Sequence, residues 1–334
     1  MKRGITMFPF LLIFVMIAGA IILMFFFQFG TDLLSTSEKI NKLTVLKNID
    51  QQLAFLFQNN ALSNMELGMK SKITVDCSIV NGKPQTNLSF DERSLKSQKI
   101  IVAPITLEGK TIRAWTRSWN YPFKIENIYY LLPGLGELKN IKIYLQQLPP
   151  DKIASNKELK EFIQGLNEIP LLPMTTFAQI TAPQTDKKLV ILLDKTIPFP
   201  ATIESNTRIM RIDFSQPLES RQVERREQGN TFITPYLGEE LALALLFSRS
   251  TQTYECIEQQ ARTRLFDIIT LYEKKQELLR CDQQDYTGIQ DLLGELKKIA
   301  NNPRDSTNNL EAFKTLEEIN KEFRKINCPE LYLS

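Results

Sequence analysis

Leu189-Val190-Ile191-Leu192-Leu193 is a run of five apolar residues bounded by Lys188 and Asp194. A strand that is apolar on both faces is typical of the centre of a sheet with helices on each side. Other strand candidates surround it, at residues 100–107, 111–119, 128–132, 141–145, 176–180, 208–214 and 231–234, with a short turn at residues 108–110 between the first two. Helical segments at 157–166 and 238–249 interrupt them. Residues 69–250 are therefore predicted to form an α/β head with a mixed sheet.

The pattern changes to helices after Thr251. Apolar residues recur at helical spacing over residues 254–280, and further helices are predicted at 286–300 and 309–326. We assign residues 251–334 to a C-terminal helical subdomain.

The N-terminus carries a second long apolar run. Residues 4–31 contain no charge, and Lys2 and Arg3 precede them. A bilayer core of about 30 Å needs roughly 20 apolar residues in a helix. Residues 1–30 are therefore predicted to form a transmembrane anchor that contacts lipid through residues 7–29. Ala18-Gly19-Ala20 would suit a signal peptidase, but the apolar run continues past it, which favours a retained anchor.

The charge bias sets the expected topology. Lys2 and Arg3 precede the span, whereas Asp32 and Glu38 follow it. Such a bias keeps the N-terminus in the cytoplasm. The expected location is a single-pass protein of the cell membrane with an extracytoplasmic head.

Residues 31–68 are predicted to extend the anchor as a juxtamembrane amphipathic helix reaching about residue 58. Leu46, Ile49, Leu53 and Leu56 form a narrow apolar stripe. We favour packing of this stripe on the head of the same chain. Oligomerisation through it is the alternative, although the stripe is shorter than a typical coiled coil.

Lys2-Arg3-Gly4, followed by Ile5-Thr6-Met7 and the apolar helix, resembles the N-terminus of type IV pilins and pseudopilins. The layout also resembles membrane-anchored surface proteins of archaea. The pilin resemblance implies cleavage after Gly4 and packing of the apolar helix in a filament core. Pro9 stands where major pilins carry Glu, which disfavours a major subunit. A plain signal-anchor, in which Gly4 has no processing role, is the alternative.

Composition excludes several kinds of chemistry. The chain has no histidine, which removes the usual general base and the commonest metal ligand. A net charge of +3 with mixed signs predicts no nucleic-acid partner. Asp194 and Asp213 each end a strand candidate, where ligands gather in α/β sheets, so they are the candidate carboxylate site. Glu239 and Glu240 are expected to stabilise a helix start, and residues 219–227 are expected to be a solvated loop.

One strand candidate has the pattern of a binding surface. Alternation puts Arg113, Trp115, Arg117 and Trp119 on one sheet face. Stacked arginine and tryptophan side chains can hold an extended partner or a sugar. The alternative is that a helix or the stalk covers these side chains.

Four cysteines on the expected oxidising side predict two disulfides among Cys77, Cys256, Cys281 and Cys328. A continuous helix would hold Cys256 and Cys281 about 37 Å apart, which excludes that pair. We favour Cys281–Cys328 with Cys77–Cys256, and Cys256–Cys328 with Cys77–Cys281 is the alternative. Reduced thiols would instead indicate a cytoplasmic head. Asn87-Leu88-Ser89 is a glycosylation sequon in a polar segment.

The function predicted from sequence is a membrane-anchored extracytoplasmic protein with a binding or assembly role. Its expected partners are the lipid bilayer and either another protein or further copies of itself. No catalytic residue, cofactor or metal is predicted. The alternatives are a minor pilin-like or pseudopilin-like filament subunit and an anchored carboxylate-dependent hydrolase.

Overall fold

The computed structural model describes residues 7–56, 62–120, 123–134, 141–167, 169–176, 187–194, 198–200, 203–214, 222–235 and 238–278, with 293–294, 296–298, 315 and 318. The helices are α1 (Met7–Phe55), α2 (Pro150–Ser155), α3 (Lys157–Leu166), α4 (Glu239–Phe247) and α5 (Thr251–Leu278). The first strands are β1 (Leu62–Val80), β2 (Lys83–Phe90), β3 (Arg93–Ser97), β4 (Ile100–Val102), β5 (Leu107–Asn120) and β6 (Lys124–Pro133). The later strands are β7 (Ile141–Gln146), β8 (Leu171–Met174), β9 (Lys187–Leu192), β10 (Thr207–Ile212), β11 (Gln222–Glu227) and β12 (Asn230–Pro235).

The described strands form two mixed sheets of six strands each. Sheet A has the order β3-β2-β1-β5-β6-β4, in which only the β4–β6 pair is parallel. Sheet B has the order β12-β11-β10-β9-β7-β8, with four parallel strands and an antiparallel hairpin, β11–β12, at one edge. The predicted α/β class with mixed sheet structure is confirmed, as two sheets rather than one. The run at residues 189–193 provides most of central strand β9, as predicted.

Helix α4 lies between the two sheets. It contacts β5 and β6 of sheet A and β10 and β11 of sheet B. Every residue from Leu241 to Phe247 is buried. A helix that is apolar on all sides has to be buried on all sides. The main core therefore joins α4, α5 and α3 to the inner faces of both sheets.

The outer face of sheet A is covered by the second half of α1. Leu46, Ile49 and Leu53 pack against apolar side chains of this sheet, as expected for a helix folded onto its own head. Asp50 accepts a hydrogen bond from Ser97 at 2.6 Å and pairs with Lys99 at 2.8 Å. Among the residues whose side chains are described, which in α1 are 15–28 and 40–55, no helical stretch combines the length and the hydropathy that a membrane span requires.

Two local predictions are corrected by the structure. Residues 62–68, assigned to the juxtamembrane helix, belong to β1, and most of the polar segment that follows forms the rest of β1, β2 and β3. Gly109 does not form a turn, because β5 continues through it and pairs Gly109 with Ser71 next to a bulge in β1. The strand expected at residues 176–180 lies, apart from Thr176, outside the described residues, and β8 was not predicted.

Candidate functional site

The two predicted aspartates lie at the same edge of sheet B. Asp194 and Asp213 follow β9 and β10, which are parallel neighbours. Leu192 of β9 pairs with Arg211 of β10. Asp194 comes two residues after Leu192, and Asp213 comes two residues after Arg211. The chain also changes direction across the sheet between β7 and β9, and such edges commonly bind ligands in α/β folds.

Polar groups at this edge form hydrogen bonds and an ion pair with one another. Lys152 Nζ lies 2.7 Å from Asp194 Oδ2, and this hydrogen bond, together with the charge of Asp194, raises the pKa of Lys152. The Leu193 amide donates to Gln146 Oε1 at 2.8 Å, and Asp213 is only 3% exposed. Among the described residues there is no cluster of three metal-ligating side chains. Whether the two aspartates act on a ligand stays a prediction.

The predicted arginine–tryptophan face exists but is not at the surface. Trp115 and Trp119 share the core between the sheets, whereas Ala114 lies on the α1 side, so the predicted alternation is found. Both tryptophans are 0% exposed, and Trp115 packs against Tyr130 and Phe247, with ring centroids at 4.9 and 6.4 Å. Because α4 covers this face, these side chains do not form an external binding surface.

Arg117 from the same strand forms a polar cluster at the start of α4. Its Nη2 lies 3.3 Å from Glu240 Oε1 and 3.8 Å from Glu239 Oε2. The Tyr130 hydroxyl donates to the Glu240 backbone carbonyl at 2.5 Å. One guanidinium therefore faces two adjacent carboxyl groups, and all three side chains are only 13–20% exposed.

The pKa values of both carboxyl groups are raised. Burial, reinforced by Glu240, raises the pKa of Glu239 from 4.5 to about 8, with Arg117 opposing and Glu158 and Glu161 of α3 adding to the rise. Burial also raises the pKa of Glu240, against the effect of Arg117. A carboxyl group with a pKa near neutrality can hold or exchange a proton at physiological pH. Sequence reasoning treated both glutamates only as helix-start residues, because their burial depends on α3 and β5.

Two glycines make this cluster possible. A Cβ at Gly165 would stand 1.8 Å from Arg117 Nη1. Gly238 has a φ of +95°, and a Cβ there would stand 2.9 Å from Trp119 Nε1. The close approach of α3 and α4 to β5 thus depends on the absence of side chains at these positions.

A second polar cluster lies at the other end of α4. Arg208 Nη1 donates to the carbonyl of Leu246 at 2.6 Å and also to that of Ser248, and Arg225 Nη1 donates to the carbonyl of Leu245 at 3.0 Å. These carbonyls have no helical partner, and cations are favourable at a helix C-terminus. Both arginines therefore cap α4.

The expectation of a solvated loop at residues 219–227 is therefore corrected. Residues 222–227 form β11, and Arg225 is 1% exposed. Glu227 contacts both capping arginines. Burial alone would raise the pKa of Glu227, but Arg208 and Arg225 outweigh burial and lower it. Arg208 and Arg225 can be buried because Glu227 pairs with both of them.

The cysteine prediction is confirmed for one pair. Cys77 of β1 and Cys256 of α5 form a disulfide with Cα atoms 5.7 Å apart. Cys281 and Cys328 lie outside the described residues. The sequon residue Asn87 lies within β2, where its amide donates to Ser78 Oγ at 3.0 Å.

Searches with protein-family models, among curated proteins and among solved structures found no match to this chain.

Proposed function

We propose that this protein is a membrane-anchored extracytoplasmic protein whose head serves in binding or assembly. The observation that carries the proposal is the exposure of the first half of α1. The described large apolar side chains from Val15 to Phe27 are 55–70% exposed. Apolar surface on every side of a helix needs an apolar environment. A bilayer would supply it, and the sequence of residues 7–14 continues the apolar run.

The same helix links this apolar segment to the head. Leu46, Ile49 and Leu53 are at most 1% exposed against sheet A. Lys42 pairs with Asp91 at 2.9 Å, and the Asp50 contacts to sheet A add polar links. A rigid connection of this kind supports a role in which the head is held at a fixed position near the membrane.

The disulfide supports an extracytoplasmic location for the head. Disulfides persist in oxidising compartments and are rare in the cytosol. The Cys77–Cys256 bond joins residues 179 positions apart, and it fastens α5 to sheet A. The positive charges of Lys2 and Arg3 support the same topology.

A charge substitution in the apolar segment tests the anchor. We expect Ile17→Asp/Ile21→Asp to cost on the order of 6 kcal/mol of insertion free energy and to release the protein from membranes. The matched control is Ile40→Asp/Phe55→Asp, because both side chains are exposed on α1 outside residues 7–29. Alkaline extraction of membranes measures the bound fraction. Equal release of wild type, test variant and control would contradict the anchor.

Protease protection tests the topology. Protease added to intact cells or spheroplasts is expected to digest the head. A head that is digested only after permeabilisation would contradict the extracytoplasmic location, while the anchor could still hold.

The intact mass of detergent-extracted protein tests the pilin-like alternative. A mature chain that begins at Ile5 would support a filament subunit, and retention of Lys2 and Arg3 would remove that alternative.

A second candidate function is an anchored carboxylate-dependent hydrolase. The observation that favours it is the position of Asp194 and Asp213 after adjacent parallel strands. The Lys152–Asp194 ion pair weighs against it, because it already occupies one carboxylate oxygen. Loss of a hydrolytic activity in both Asp194→Asn and Asp213→Asn, with folding retained, would make this the better function.

A further inference from the structure

A cavity of about 410 Å³ opens between the β11–β12 hairpin and the start of α5. Its wall includes Arg225, Arg249, Thr231, Thr251 and Phe232, and it also includes one carboxylate, Glu227. Its volume falls in the range of small-molecule sites. It is separate from the carboxyl edge of sheet B, where Asp194 and Asp213 lie.

Positive charge exceeds negative charge around this cavity. Among the described residues, the cations Lys187, Arg208, Arg225 and Arg249 meet the carboxylates Glu227 and Asp76. Glu227 pairs with three of these cations, Lys187, Arg208 and Arg225. Asp76 lies 3.5 Å from Arg249, and both side chains are about half exposed, so solvent weakens that pair.

Two further observations favour an anionic ligand at this site. Burial lowers the pKa of Lys187 to about 8, and Arg208, Arg225 and Arg249 add to the fall against the opposing effect of Glu227. Arg225 also has a buried Nε with no hydrogen-bond acceptor in the described structure. Buried cations and donors normally have partners.

We infer that this cavity binds an oxyanion, either a carboxylate or a phosphate group of a small ligand. Arg249 supplies a charged donor, and the Thr231 and Thr251 hydroxyls and the Asn230 amide are neutral donors in the same wall. The positive end of the 28-residue helix α5 adds favourable potential. Phe232 offers an apolar wall to the rest of the ligand. This inference does not depend on where the head resides.

Titration calorimetry of the full-length protein in a nonionic detergent tests the site, with inorganic phosphate and acetate as separate probes. We expect at least one probe to bind, and Arg249→Gln to weaken it by about tenfold to a hundredfold, because a charge-assisted hydrogen bond is lost. Binding of phosphate alone or of acetate alone identifies the group. Absence of binding by both probes would overturn the inference.

Two variants separate a local site from a general effect of charge. Arg211→Gln removes the same charge from the other face of β10, where Arg211 stacks on Phe199 at 4.1 Å, and is expected to bind like wild type. Asp76→Asn frees Arg249 from its carboxylate and should leave binding equal or tighter. Equal weakening by Arg211→Gln and Arg249→Gln would overturn the inference.

Discussion

Protonation of Glu239 should make the stability of this protein depend on pH in an unusual direction. The folded protein holds the pKa of Glu239 at about 8, against an ordinary value of 4.5. Between these values the folded state binds more protons than the unfolded state, so the free energy of unfolding falls as pH rises. From pH 5 to pH 8 the fall is about 3.5 kcal/mol for this group. Glu240, Arg117, Glu158 and Glu161 are the charged groups that act on it.

Glu239→Gln tests this value, since a neutral amide resembles the protonated acid. We expect the variant to be about as stable as wild type at pH 5 and more stable, by up to about 3 kcal/mol, at pH 8. The chain has no histidine, so no imidazole titrates in this window.

Urea denaturation followed by tryptophan fluorescence measures the effect in the full-length protein. Trp115 and Trp119, the two tryptophans of the chain, are buried beside the cluster and report its unfolding. Glu108→Gln is the control, because Glu108 is exposed on β5 next to Lys72. An identical pH dependence for wild type and Glu239→Gln, or a variant less stable than wild type at pH 8, would refute the reasoning.

Three further predictions concern stability. Cys77→Ser should lower the free energy of unfolding by about 2–5 kcal/mol, and a reductant should then destabilise wild type more than the variant. Alanine in a helix usually gains about 1 kcal/mol over glycine. Gly165→Ala should gain less than this, because its Cβ would displace the Arg117 guanidinium from Glu239 and Glu240. Gly294→Ala, with open space around it, should show the full gain. Arg208→Lys should lose about 3 kcal/mol, since lysine cannot reach both the α4 carbonyls and Glu227. Denaturation curves check all three, and a neutral Arg208→Lys would contradict the capping role.

The structures of β5 and α1 show how much can be predicted from the spacing of apolar residues along the sequence. The stripe at Leu46, Ile49 and Leu53 predicted a helix that packs on the head, and α1 does so. Alternation predicted that Trp115 and Trp119 share a face, and they do. Pattern failed to identify β1–β3, because these strands carry many polar residues on the face away from α1.

The sequence by itself determined the elements whose apolar residues repeat locally: α1, the central strand β9 and the wholly apolar α4. It also determined the absence of imidazole chemistry. Only the tertiary structure decided which charges are buried. Arg225 lies in a polar stretch that suggests a solvated loop, yet from β11 it caps the C-terminus of α4. Glu239 begins a helix like many glutamates, yet its side chain is only 20% exposed. Local periodicity depends on neighbours three or four residues away, whereas the environment of a charge depends on segments far apart in the chain.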